Sequence, residues 1–73
     1  MKYLIWSFKH DCWWAPNSRG YTPDIELAGR YSAHDAGEIV TNSILLESIA
    51  ICEPIATEQG PPKFHPHYGP TDA

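Results

Sequence analysis

Residues 3–15 read Tyr-Leu-Ile-Trp-Ser-Phe-Lys-His-Asp-Cys-Trp-Trp-Ala, and their alternation decides the fold. Tyr3, Ile5 and Ser7 fall on one face of an extended chain and Leu4, Trp6 and Phe8 on the other, and the β-branched and aromatic content suits a strand. Lys9-His10-Asp11 is a short polar turn, and Cys12–Ala15 continues as a second strand stopped by Pro16, so a β-hairpin is predicted. Side chains alternate along a strand. Trp13 and Trp14 therefore point to opposite faces, one into the core and the other toward solvent, a ligand or a second subunit.

Past the hairpin, Asn17-Ser18-Arg19-Gly20 is a turn sequence with Gly20 available for positive φ. Thr22-Pro23-Asp24 reads as a helix start, with Thr22 at the N-cap and Pro23 at the first position; Gly29 ends that one or two turns. Ser32 to Asp35 has capping-box spacing, and Ala36, Ile39, Val40, Ser43 and Ile44 follow at helical intervals. A helix over residues 33–42 is predicted, packed closely on the sheet at Gly37, where glycine costs about 1 kcal/mol relative to alanine. Glu47 to Ile55 alternates again and predicts a third strand beside the first. The expected class is α+β: a small ββαβ domain, a three-stranded antiparallel sheet with one main helix on one face. One helix leaves the second face apolar, so a homo-oligomer through that face or an edge is expected.

With 73 residues, five of the seven prolines lie from Pro54 onward. A single domain over residues 1–53 and a Pro-rich, largely disordered tail over 54–73 are expected. The run Tyr3–Phe8 is too short for a secretory leader or a membrane span. A cytoplasmic protein with reduced Cys12 and Cys52 follows, the alternative being a Cys12–Cys52 bridge between neighbouring strands. Net charge is -4, and from Asp35 onward six acids face only Lys63. Without a basic stripe the chain is not expected to bind duplex nucleic acid.

Catalytic and metal chemistry find little footing. His10, His34, His65 and His67 sit at no zinc-motif spacing, so no metal is expected. Cys12, Asp11 and His10 are adjacent in sequence, and adjacent side chains diverge in a strand. Asp24, Glu26, Asp35 and Glu38 suit helix starts. No P-loop, dinucleotide fingerprint or nucleophile elbow is present; neither an enzyme nor a cofactor is expected.

Binding has better support. Trp13 or Trp14, Tyr21 and Tyr31 offer flat faces for a base, Arg19 and Arg30 charge for a phosphate or carboxylate, and Asn17 and Thr22 a turn and helix start with free N–H groups. These residues form a candidate nucleotide site. The plainer alternative is that Tyr21 and Tyr31 pack around the short helix, Arg30 stacks on a tryptophan and Arg19 is solvated.

Lys2–Ser7 (K-Y-L-I-W-S), Trp13–Thr22 (W-W-x-P-N-x-x-G-Y-T) and Ala28–Ser32 (A-G-R-Y-S) together give a layout that resembles a group of short accessory proteins of tailed phages and prophages. The resemblance covers about residues 2–53, departs at the tail, and attaches no activity or binding residue. It implies a setting: an accessory protein that counters host defence, acting in the host cytoplasm by sequestering a nucleotide-type signal at a subunit interface. The alternatives are stoichiometric inhibition of a host defence protein through the aromatic face, and a structural or regulatory oligomer without a separate ligand.

Overall fold

The computed structural model describes residues 1–42 and 47–62. Strands β1 (Tyr3–Ser7), β2 (Cys12–Trp14) and β3 (Tyr21–Thr22) are followed by helix α1 (Ala33–Asn42), strand β4 (Ser48–Cys52) and helix α2 (Glu53–Gln59). Short 3-10 turns occupy Pro16–Ser18 and Ile25–Leu27. The sheet is antiparallel in the order β3-β2-β1-β4. The α+β class holds, but the sheet has four strands where three are expected, and two helices where one is.

The hairpin forms as its alternation dictates, with Trp6 opposite Trp13 and Ser7 opposite Cys12. Its turn is closed by a hydrogen bond from the Asp11 N–H to the Ser7 carbonyl and by the Ser7 hydroxyl, which accepts from the His10 N–H. Strand β4 lies against β1 from Tyr3↔Cys52 to Ser7↔Ser48. The added strand β3 turns back on β2 through residues 16–20, pairing Trp14 with Tyr21 and Trp13 with Thr22. Asn17, Ser18 and Gly20 all have positive φ there, as a tight reversal demands.

Thr22 consequently belongs to a strand rather than capping a helix. Its hydroxyl accepts from the Asp24 N–H, and Asp24 caps the following turn by accepting from the Glu26 N–H. Helix α1 keeps its expected bounds, and the Ser32 hydroxyl accepts from the Asp35 N–H at its start. A Cβ on Gly37 would meet nothing within 4 Å, so the close approach expected there is absent. It occurs instead at Gly29, where a Cβ would lie 2.7 Å from the Tyr31 ring and 2.9 Å from the Pro16 Cα.

Both faces of the sheet are covered. Leu4, Trp6, Phe8 and Trp13 form one core with Ala28 and Ala56, contributed by the 25–28 segment and α2. On the other face Ile5, Tyr31 and Ala36 join Trp14, Ile39 and Val40 beneath α1. The bare second face expected from sequence is thus closed by α2, which lies within the segment read as tail. Ala56 is 0% exposed, so the packed structure extends beyond residue 53. Cys12 and Cys52 are both free. They lie on opposite sides of β1 and four residues apart along it, roughly 16 Å at standard strand spacings and beyond any disulfide. The helical positions Ser43 and Ile44 and the tail histidines His65 and His67 lie outside the described residues.

Candidate functional site

Strand alternation sorts the tryptophans. Trp13 is 0% exposed and packs edge-on against Trp6 at 4.9 Å. Trp14 is half-buried on the α1 face, with its indole N–H donating to the Ser48 hydroxyl. The β2–β3 pairing sets Tyr21, 41% exposed, beside it. The two rings meet edge to face at 5.3 Å, and His10 from the hairpin turn stacks on Tyr21 at 3.9 Å. The result is a continuous run of rings, His10–Tyr21–Trp14, along one surface.

An open groove of about 380 Å³ runs between these rings and α1. Trp14 and Tyr21 line it from the sheet and Glu38, Ile39 and Asn42 from α1, with Ser18 and Glu47 completing the lining. Helical spacing explains the α1 side, since positions 38 and 42 are one turn apart and stack. The charged groups lining the groove are carboxylates. Lys9 reaches Glu47 at 3.9 Å from outside it, and the His34 ring lies 3.9 Å from Glu38.

The eight residues singled out from sequence are therefore distributed. Trp14 and Tyr21 line the groove, with Asn17 and Arg19 exposed in the adjoining turn. Trp13 and its partner Thr22 lie on the opposite face. The Tyr31 hydroxyl donates to the Ala15 carbonyl and accepts from the Ser18 N–H, holding the 16–20 turn in place. Arg30 donates to the carbonyls of Ile25 and Ala28, each at 2.8 Å, and to the Glu53 carboxylate at 3.2 Å. Its fork joins the 25–28 segment to the start of α2, so three of its donors serve the fold.

Sequence reasoning missed Ser18, Glu38, Ile39, Asn42 and Glu47 as groove residues and His10 as a member of the ring run. The spacing of Glu38 and Asn42 was readable, but which wall they face depends on how α1 crosses the sheet. Asp35 and Glu38 gather with His34 on the exposed side of α1, their ligand atoms within 4.8 Å of one another. Three exposed groups on one helix fall short of the four convergent ligands of a structural metal site.

Searches against protein-family models, curated proteins and solved structures return no match for this chain.

Proposed function

We propose that this is a non-catalytic binding protein that captures a basic side chain of a partner protein in the groove between Trp14, Tyr21 and α1. The observation that carries this reading is the lining: aromatic faces from the sheet and the Glu38 carboxylate from α1, with Glu47 completing it and no lysine or arginine among the described lining residues. Aromatic faces attract a guanidinium or ammonium group, and a carboxylate completes its hydrogen bonding. A phosphate meets the opposite: like charge from Glu38, with Glu47 already paired with Lys9 and Arg30 with Glu53. In the setting implied by the sequence resemblance, the partner is a host defence protein whose nucleotide- or nucleic-acid-handling surface is basic, and inhibition is stoichiometric.

Sequestration of a nucleotide remains the second reading, supported by the exposed Arg19 beside the ring run. Titration calorimetry with an arginine-rich peptide and, separately, with mono- and cyclic nucleotides tests both. The proposed function expects the peptide to bind, and Glu38→Gln or Tyr21→Ala to weaken it by roughly tenfold, the loss of one charged or stacking contact. Binding of a nucleotide that Arg19→Ala abolishes, with no affinity for the peptide, overturns the protein-binding reading in favour of the second.

A further inference from the structure

Strand β4 is an outer strand of the sheet, and its hydrogen-bonding polarity follows from its neighbours. The Phe8 N–H donates to the Glu47 carbonyl and the Glu53 N–H donates to the Lys2 carbonyl. Residues 47, 49, 51 and 53 therefore direct their backbone groups toward β1, because these directions alternate along an antiparallel strand. The N–H and C=O groups of Ser48 and Ala50 and the N–H of Cys52 point the other way, off the edge of the sheet, while the Cys52 carbonyl, at the N-cap of α2, begins that helix.

Natural edge strands are guarded by charges, prolines or bulges. Residues 48–52, Ser-Ile-Ala-Ile-Cys, contain neither charge nor proline and pair with β1 in unbroken register. They also read nearly the same in both directions: a small polar residue, isoleucine, alanine, isoleucine, a small polar residue. A two-fold axis through Ala50 superposes this pattern on itself.

We infer that β4 is a self-association edge, pairing antiparallel with β4 of a second copy of this chain to give a continuous eight-stranded sheet. Ala50 meets Ala50 of the second copy and Ser48 meets its Cys52. The central pair supplies two inter-subunit bonds and each Ser48–Cys52 pair one, about four in all. Ile49 falls opposite Ile51 of the second copy in the closer, non-hydrogen-bonded positions, so the apolar faces run on across the seam. That face already opens into a groove of about 520 Å³, lined by Ile49, Ile51, Ile55 and Pro61 with the polar Glu58 and Gln59 on its α2 side. The same register sets Glu47 against Glu53 of the second copy, but each has a cation in its own chain, Lys9 at 3.9 Å and Arg30 at 3.2 Å. The seam meets the groove only at Glu47, whereas the residues that test the proposed function, Tyr21 and Glu38, lie on β3 and α1, so the dimer and the proposed function can fail independently.

The test is the mass of the full chain by native mass spectrometry and light scattering, combined with residue-resolved amide exchange. The expected mass is twice the 8.2 kDa chain. In the dimer the Ser48, Ala50 and Cys52 amides exchange slowly together with those of Ile49 and Ile51, which β1 protects in any case. Ala50→Pro removes the central outward N–H without touching a β1 bond, a placement that edge strands tolerate; Ala50→Lys sets two charges together at the axis. Each should weaken the dimer by roughly 100-fold, Ala50→Pro through the two central inter-subunit bonds it removes and Ala50→Lys through the repulsion of like charges. A native chain that is monomeric at high concentration, with fast Ser48, Ala50 and Cys52 amides, overturns the inference whether or not the variants fold. So does a dimer whose Ala50 amide stays fast.

Discussion

At the scale of single residues, two glycines that look alike in sequence have opposite roles. Gly29 lies where the Tyr31 ring and the Pro16 backbone leave no room for a methyl group. Gly29→Ala should cost about 1–3 kcal/mol, as overpacking does, seen as a lowered urea midpoint. Gly37 faces open space in the middle of α1. There Gly37→Ala should stabilise by about 1 kcal/mol, raising the thermal midpoint by roughly 4–8 °C. Neither difference is visible from sequence, because both glycines occupy plausible helix-related positions and only the neighbouring chain distinguishes them. The adjacent tryptophans were better marked. Alternation assigned them to opposite faces, and the structure assigned Trp13 to the core. The indole N–H groups of Trp6 and Trp13 are buried and find no acceptor among the described residues, so ring size rather than polarity recommends tryptophan there. Trp14 should supply most of the fluorescence accessible to acrylamide, and Trp14→Phe should remove it; unchanged quenching would contradict the burial order.

Among the elements, Arg30 and α2 close the face that the hairpin alone leaves bare. Arg30 ties the 25–28 segment to Glu53. Arg30→Ala should destabilise by about 1–3 kcal/mol through the carbonyls and carboxylate it abandons. Lysine should rescue little, lacking the fork that reaches all three acceptors. Helix α2 follows β4 without a loop, placing Ala56 against Leu4 and Trp6. Ending the chain after Ile55 should therefore lower the thermal midpoint by several degrees, since a shift of 1 kcal/mol moves a domain of this size by about 4–8 °C; an unchanged midpoint would return the segment to the tail. The proline content that suggested a tail misled because Pro54 falls at a helix start, where its missing N–H costs nothing. Strand β3 escaped notice because two residues carry no periodicity. Its signal was the pair of aromatic stretches flanking a glycine-containing reversal.

For the molecule as a whole, negative charge gathers beside the aromatic surface in a way composition only hinted at. The chain carries -4 overall, and the groove beside the rings is lined by carboxylates. No shift of a duplex DNA fragment is expected in a gel even at low salt, where phosphate contacts are strongest. No described helix is long and apolar enough to cross a membrane. Sequence by itself determined the α+β class, the N-terminal hairpin, the bounds of α1 and the opposition of the two tryptophans. These are local properties, set by alternation, helical spacing and caps within a few residues. Only the tertiary structure decided that α2 covers the second face, that Arg30 and Tyr31 serve the fold, and that the accessible groove is acidic. Those outcomes depend on which distant segments meet across the sheet, and residues such as Trp14, Glu38 and Glu47 carry no local mark of becoming neighbours.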